Sequence, residues 1–110
     1  MKTSNTDVLP LSLRRSLAKL GQDIAIARRK RTFTAEMMAD RIGVAKATYL
    51  KVEKGDPGTS MGVYAMALFV LGLSDALTTI ADTSRDDTGL LLDITRLPKR
   101  VRIPKAPKPL

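Results

Sequence analysis

Residues 34–55 read TAEMMADRIGVAKATYLKVEKG, and two short helical patterns meet there at a single glycine. In the first pattern, Met38, Ala39 and Ile42 recur at intervals that place them on one face of a helix. Gly43 predicts the end of that helix, because glycine takes the left-handed backbone conformation of a tight turn at little cost. The stretch therefore predicts two helices joined by a short turn.

The second pattern, residues 45–54, is amphipathic in a way that suits nucleic-acid binding. Val44, Tyr49 and Val52 fall on its inner side. Thr34 is placed to cap the first helix through its hydroxyl group. The residues left on the other faces of the second helix are Lys46, Ala47, Leu50, Lys51 and Lys54. A helix that buries one side and presents cations on another can lie in the major groove of DNA.

Two helices joined by a 3–4-residue turn with glycine make a helix-turn-helix unit. The same pattern is also typical of two surface helices in any small bundle. The charge distribution is therefore needed to distinguish a DNA-binding unit from such a bundle. The net charge is +8; residues 1–31 hold eight basic and two acidic side chains, and residues 32–60 hold four of each. Residues 61–95 hold one basic and five acidic side chains, and residues 96–110 hold six basic and none acidic. Lysine runs are usually solvated faces, but beside this pattern they favour phosphate binding.

Positions well beyond the opening stretch follow a shared pattern: Leu20-Gly21, Ile24, Ala27-Arg28, Phe33-Thr34, Met38-Ala39, Ile42-Gly43-Val44, Thr48-Tyr49, Val52-Glu53-Lys54-Gly55, Ser60-Met61, Leu68 and Leu71-Gly72-Leu73. Over roughly residues 13–82 the chain resembles the XRE/lambda-repressor-like helix-turn-helix family. The resemblance implies an all-α fold with a compact five-helix DNA-binding domain. The chain departs from the family at Thr32, where glycine is common, at Ala35, where glutamine is common, and at Ala45, where serine is common.

A narrower resemblance within that family rests on four runs. They are Gly55-Asp56-Pro57-Gly58, Ser60-Met61-Gly62-Val63, Leu71-Gly72-Leu73 and Leu97-Pro98-Lys99-Arg100-Val101-Arg102. These runs resemble HipB-type antitoxins, which are DNA-binding partners of HipA-type serine/threonine kinases. The resemblance implies a homodimeric repressor that binds an inverted-repeat operator in double-stranded DNA, regulates its own operon and binds a HipA-like kinase toxin.

The DNA-binding interpretation assigns roles to particular side chains. In a dimer, the second helices of the two copies would lie about 34 Å apart, which is one turn of DNA. The residues expected to face base edges or flanking phosphates are Lys46, Ala47, Thr48 and Lys51. A lysine can donate to guanine, and the methyl groups of alanine or threonine can contact the thymine methyl. The residues expected to hold the DNA backbone are Arg28, Thr34, Lys54 and Ser60, and Ala35 occupies the position of the family's glutamine.

Several function classes are disfavoured by composition. The chain has no cysteine and no histidine, so disulfide bonds, thiolate chemistry and the usual zinc ligands are unavailable. No phosphate loop or nucleophile elbow is present, and we expect no enzyme activity, no metal and no cofactor. The longest largely apolar run, residues 61–73, is shorter than the about 20 residues that span a bilayer. Residues 1–15 lack the apolar core of a signal peptide. We therefore expect a cytoplasmic protein with no membrane partner, and the family resemblance implies a bacterial, nucleoid-associated one.

Other helical patterns flank the opening stretch. The apolar stripe of a first helix is formed by Leu13, Leu17, Leu20 and Ile24, with Ser12 as its cap. Ser60 is placed to cap a further helix that is apolar on more than one side, and such a helix is either deeply buried or shared with a second subunit. Residues 75–81 predict a short fifth helix with Ser74 as its cap.

The rest of the chain predicts a tail. Its apolar residues, which follow after the fold should have closed, are Leu90, Leu91, Leu92, Ile94 and Leu97. Residues 100–103 alternate as a short strand would, and the prolines and lysines of residues 104–110 predict a flexible basic end. We therefore divide the chain into an N-terminal arm (1–12), a helix-turn-helix domain (13–82) and a C-terminal tail that serves the dimer or a partner (83–110).

Three functions stay open at this point. The first is the repressor-antitoxin described above, and the second is a stand-alone or phage-type repressor without a toxin. The third is a protein-interaction adaptor that has lost DNA binding, which the alanines at positions 35 and 45 would suit. Binding of RNA is disfavoured, because the chain has only two tyrosines and two phenylalanines to stack on bases.

Overall fold

The computed structural model describes residues 8–92 and 96–103, and within these ranges the protein is all-α. Four α-helices lie entirely within the described residues: α1 (Leu11–Lys30), α2 (Ala35–Ile42), α3 (Lys46–Glu53) and α4 (Met61–Val70). They are followed by three 3-10 helices, Ser74–Thr79, Thr83–Arg85 and Gly89–Leu91. The chain divides into two compact units, residues 1–80 and residues 81–110. None of the helices in the described ranges is long and apolar enough to cross a membrane.

Hydroxyl caps and one glycine set the helix boundaries of the first unit. The Thr34 hydroxyl accepts a hydrogen bond from the Met37 N–H at 3.0 Å, and the Ser60 hydroxyl accepts one from the Val63 N–H at 3.3 Å. Each such cap contributes about 1 kcal/mol, because it satisfies an N–H group that the helix leaves unpaired. Gly43 ends α2 with φ at +86°. The predicted caps at Thr34 and Ser60 and the predicted turn at Gly43 are confirmed.

One hydrophobic core joins the four helices. α2 packs against α3 and α4, and α1 packs against α3. The buried residues of this core are Ile24, Ala27, Met38, Ala39, Tyr49, Val52, Tyr64, Ala67 and Leu71. Gly21 brings the backbones of α1 and α3 into contact, because a Cβ atom at this position would lie 2.5 Å from the carbonyl oxygen of Glu53. The absence of a side chain there lets α1 lie directly on the end of α3.

The start of α1 differs from the prediction. The helix begins at Leu11 with Pro10 as its N-cap, and Ser12 lies inside the first turn, where it does not cap the helix. Proline suits this position because its ring holds φ near −65° and its missing N–H would be unpaired at a helix start anyway. Leu13 is 44% exposed, whereas Ile24 is 1% exposed. The apolar stripe of α1 is therefore buried only along its C-terminal half.

The fifth predicted helix is present as a 3-10 helix with shifted bounds. It runs from Ser74 to Thr79, and its N-cap is Leu73, with no side-chain cap. The predicted cap at Ser74 is wrong, because this serine is already the first helical residue. The hydroxyl groups of Thr78 and Thr79 donate to the carbonyl oxygens of Asp75 and Ala76. Such bonds to the preceding backbone compete with regular α-helical hydrogen bonding.

The second unit buries none of its described residues. Leu91 is 86% exposed and Leu97 is 62% exposed. The predicted strand at residues 100–103 is wrong: Arg100 lies in a bend, residues 101–103 have no regular structure, and residues 8–92 and 96–103 contain no strand. A strand needs a neighbouring strand to satisfy its backbone groups. Ile94, the predicted basic end at residues 104–110 and residues 1–7 of the predicted arm lie outside the described residues.

Candidate nucleic-acid interface

α3 has one buried side and one solvent side, as its sequence predicts. Tyr49 and Val52 are both 0% exposed, and Val44, just before the helix, is half-buried against the same core. Thr48 is also half-buried, so that its side chain is only partly available to a ligand. The exposed residues of the solvent side are Lys46, Ala47, Leu50, Lys51 and Lys54. The inner positions of the prediction are therefore confirmed.

The first turns of α2 and α3 lie close together. The Lys46 ammonium is 3.5 Å from a carboxylate oxygen of Glu36, and both side chains are more than half exposed. A surface pair of this kind contributes at most about 1 kcal/mol and leaves the ammonium accessible to another anion. α3 has Ala45 as its N-cap, no side-chain cap and no acidic residue in its first turn. Its first-turn N–H groups and the positive end of its dipole therefore have no side-chain acceptor.

Two candidate backbone-contact residues, Thr34 and Ser60, lie at helix starts, whereas the candidate Ala35 is half-buried. Thr34 and Ser60 are exposed, and their hydroxyl oxygens accept the capping bonds. A hydroxyl that accepts from the backbone can still donate its own hydrogen to a phosphate oxygen. Ala35 is half-buried and packs against the core. It offers no polar group to DNA, in contrast to the glutamine that is common at this position in the family it resembles.

Arg28 is held inside the first unit by three hydrogen bonds. Its Nε donates to Glu53 Oε2 at 2.8 Å and its Nη2 donates to Glu53 Oε1 at 3.1 Å. Its Nη1 donates to the Phe33 carbonyl oxygen at 2.9 Å. The side chains of Arg28 and Glu53 are 16% and 13% exposed. This geometry assigns Arg28 to the scaffold, where it ties α1 to α3 and to the turn before α2.

The Arg28–Glu53 pair sets the ionisation of its surroundings. Burial by itself would raise the pKa of Glu53, but the hydrogen bonds and the charge of Arg28 outweigh burial and hold the pKa below its ordinary value. Burial also raises the pKa of Tyr49 far above its ordinary range, with the Glu53 carboxylate adding to the effect. The Tyr49 hydroxyl has no hydrogen-bond partner among the described residues. Glu53 is therefore a structural anion that stabilises the contact between α1 and α3.

The cations at the end of α3 are unpaired within the described ranges. Neither Lys51 nor Lys54 has a carboxylate oxygen within 4.0 Å there. Two grooves open beside them. One is lined by Arg14, Lys51, Lys54, Gly55, Asp56 and Pro57, and the other by Gln22, Ala25, Ile26, Arg29, Leu50, Glu53 and Lys54. Lys54 lines both, so the two grooves form a basic border between α3 and α1.

Arg14 and Arg29 line these grooves but are not among the site residues predicted from the sequence. A signal for Arg14 was present in the small residues of α1. Ala18, Gly21 and Ala25 lie three and four residues apart and therefore share the face on which another helix can approach closely. Arg14 precedes Gly21 by seven residues, which is two helical turns, and so lies on that face as well.

Comparisons of the chain with protein-family models, with curated proteins and with solved structures found no match. The functional argument therefore depends on the residues and the geometry of this chain.

Proposed function

We propose that this protein is a sequence-specific DNA-binding repressor with a lambda-repressor-like helix-turn-helix fold, in which α3 is the recognition helix. The observation that carries the proposal is the division of α3 into two sides. Tyr49 and Val52 are fully buried, while Lys46, Ala47 and Lys51 are exposed on the solvent side. This division leaves a cationic helix face exposed to solvent, and the major groove of B-DNA is wide enough to admit an α-helix.

The exposed side chains of that surface can contact both bases and phosphates. Lys46 and Lys51 can donate to guanine O6 or N7 or to a flanking phosphate oxygen, and Ala47 can contact a thymine methyl group. Thr34 and Ser60, at the starts of α2 and α4, can donate to phosphate oxygens, which positions a protein without reading sequence. Arg28 is left out of the contact set because its guanidinium is already bonded to Glu53 and Phe33.

A homodimer follows from the symmetry that such an operator needs. α4 exposes Met61 at 67% and Phe69 at 65%, and Ile80 after it is 66% exposed. Large apolar side chains exposed on one helix are typical of a surface that another subunit covers. Two copies related by a twofold axis would present their α3 helices to half-sites one DNA turn, about 34 Å, apart.

The finer proposal is that the repressor is an antitoxin, with a HipA-like serine/threonine kinase as its partner. It rests on the resemblance of residues 55–63 and 97–102 to HipB-type antitoxins. Leu97 and Val101 are 62% and 78% exposed and are therefore available to a partner. Co-expression with a kinase encoded next to the gene, followed by purification, tests this part alone. Failure of the two proteins to co-elute would leave a stand-alone repressor.

DNA binding is tested with a variant that changes only the solvent side of α3. Selection from a random duplex library first identifies the preferred site. The double variant Lys46→Ala/Lys51→Ala should then lose at least about 30-fold in affinity for that site, since two contacts worth about 1–3 kcal/mol each amount to at least about 2 kcal/mol. Both lysines are exposed, so the thermal unfolding curve should stay within a few degrees of that of the parent.

The matched control removes two lysines elsewhere on the same domain. Lys19 lies in an exposed pair with Asp23, and Lys30 lines a groove with Asp23 and Leu73 on a face of α1 away from α3. The double variant Lys19→Ala/Lys30→Ala has the same net charge as the test variant and should keep most of the affinity. Equal affinities for the two variants would show that α3 is not the recognition helix. Failure of the parent to select any sequence would favour the adaptor.

A further inference from the structure

We propose that Arg14, Lys51 and Lys54 form a binding site for one phosphate group of the DNA backbone, at the start of α1. The inference rests on the proposed DNA binding and extends the contact surface to a helix end that lies outside the helix-turn-helix segment. The first turn of α1 would then have a role besides packing, because it would contact the DNA backbone next to α3.

The three cations come together from separate elements. Arg14 lies in the first turn of α1, Lys51 in the last turn of α3, and Lys54 at the C-cap of α3. They line one groove of about 480 Å³. The close contact of α1 with α3 at Gly21 fixes this arrangement, since the backbones touch two helical turns after Arg14. A phosphate group in the groove would therefore be approached by cations from both helices.

The electrostatics of the groove favour an anion. Its one carboxylate, Asp56, is occupied: Oδ1 accepts from the Gly58 N–H at 3.3 Å and Oδ2 accepts from the Thr59 hydroxyl at 2.9 Å. The carbonyl oxygen of Asp56 also accepts from the Tyr64 hydroxyl at 2.7 Å, which ties the loop to α4. The groove therefore contains three cations and one carboxylate, and the carboxylate is hydrogen-bonded within its own loop.

The start of α1 adds a further positive contribution. Its N-cap is Pro10, which provides no side-chain hydrogen bond, and its first turn has no acidic residue. The positive end of the dipole of this 20-residue helix therefore lies within one turn of Arg14. A guanidinium also binds phosphate in a bidentate manner, which a lone ammonium does not.

The position of the groove points to the DNA backbone as the source of the phosphate. Lys51 belongs both to the groove and to the exposed side of α3 that would face the bases. A duplex lying along α3 would thus pass one of its sugar-phosphate strands along the rim of the groove. A mononucleotide or inorganic phosphate would meet the same cations but would have nothing to hold it against α3.

The test compares two neighbouring arginines of α1. Arg14 lines the groove, whereas Arg15 is exposed and is not among the lining residues. Arg14→Ala and Arg15→Ala therefore remove the same charge one position apart. Binding of the full chain to a random-sequence duplex of about 30 base pairs is measured between about 50 and 200 mM salt, because phosphate contacts do not depend on sequence. Thermal unfolding confirms that both variants keep the fold.

The slope of log K against log salt is negative. Loss of one phosphate contact should make it less steep by about 0.9 in Arg14→Ala and leave it unchanged in Arg15→Ala. Over that fourfold salt range, the change corresponds to an about threefold smaller loss of affinity. In addition, on the preferred site selected from the library, ethylation of a single phosphate should weaken binding of the parent and of Arg15→Ala more than binding of Arg14→Ala, which keeps only the two lysines of the site.

Two results would overturn the inference, and they differ in what they imply for the proposed function. If the parent binds the duplex and both variants keep its slope and its interference pattern, Arg14 holds no phosphate while α3 can still be the recognition helix. If the parent does not bind duplex DNA at either salt concentration, both proposals fail together. Equal losses in the two variants would show a general charge effect and would also overturn the assigned site.

Discussion

The segment of α2 and α3, residues 34–54, and the C-terminal unit both contain large apolar side chains, but in the described part of that unit, residues 81–92 and 96–103, none of them is buried. Met38 and Tyr49 are 0% exposed, whereas Leu90 and Leu91 are 60% and 86% exposed. The difference lies in spacing. Apolar residues three and four apart share one helix face, while consecutive leucines point to different sides of the chain. Periodicity decides which apolar residues can form a core.

A second difference concerns the ends of the elements. In the first segment, a threonine cap and a left-handed glycine define where α2 begins and ends. The C-terminal unit has a cap at Asp82, whose carboxylate accepts from the Ser84 N–H, but the helix that follows has only three residues. A helix of one turn presents too little surface to bury a stripe of side chains. The leucines of this unit are therefore available to a partner, which is the role proposed for them.

The largest expected effect comes from truncating one apolar residue in each region. Met38→Ala should lower the free energy of unfolding by about 3 kcal/mol, because it leaves a cavity in a closed core. Leu91→Ala should change it by less than about 0.5 kcal/mol, because the side chain is already in water. Urea unfolding of the two variants measures both values. A cost for Leu91→Ala as large as that for Met38→Ala would mean that the single chain covers Leu91.

A smaller effect, with opposite signs, is expected from adding one methyl group at two glycines of the first unit. Gly21→Ala should destabilise by about 2 kcal/mol, because its Cβ would meet the carbonyl oxygens of Val52 and Glu53 at 2.6 and 2.5 Å. Gly62→Ala should stabilise by about 0.5 kcal/mol, since its Cβ would meet only the Ser60 hydroxyl at 3.8 Å and alanine favours the helix. Thermal unfolding of both variants would show whether α1 rests on α3 as described; two stabilising substitutions would contradict it.

The smallest of the three effects concerns the ion pair that ties α1 to α3. Glu53→Gln should cost about 1.5 kcal/mol near pH 7, as a charged hydrogen bond is replaced by a neutral one. The folded-state pKa of Glu53 is lowered, so this stabilisation is full above the ordinary value of 4.5 and is lost as the pH falls through the lower folded-state value. The stability difference between parent and variant should therefore shrink as the pH falls below 4.5.

Urea midpoints at a series of pH values measure that difference. The control is Asp23→Asn, which removes a carboxylate from an exposed pair with Lys19 and should cost less than about 0.5 kcal/mol at any pH. A difference for Glu53→Gln that stays constant from pH 7 to pH 3 would mean that the carboxylate gains nothing from Arg28 in the folded protein.

Local rules accounted for much of the first unit. The cap at Thr34, the turn at Gly43, the cap at Ser60 and the inward direction of Tyr49 and Val52 all follow from chemistry within a few residues. The errors arose where local rules compete or where a partner strand is required. The N-cap of α1 is Pro10, two residues before the predicted cap at Ser12. Residues 100–103 alternate in polarity, but the described residues contain no strand with which they could pair.

The candidate site shows the same limit. Its α3 lysines could be read from helical periodicity, because their exposure depends on one helix alone. Spacing places Arg14 on the face of α1 that carries the small residues, but it does not show that this residue meets Lys51 and Lys54, because those two lie on another helix. Arg28 matched a pattern shared with DNA-binding proteins, yet its guanidinium donates hydrogen bonds to Glu53 and to the Phe33 carbonyl oxygen.

The order of residues alone determined that this chain forms helices, where the two central ones begin and end, and which side of α3 faces the core. Those properties depend on interactions within one or two turns. Only the tertiary structure decided that α1 lies on the end of α3, that Arg28 is part of the scaffold and that Arg14 joins Lys51 and Lys54 around one groove. These arrangements depend on distances between helices, which sequence spacing does not encode.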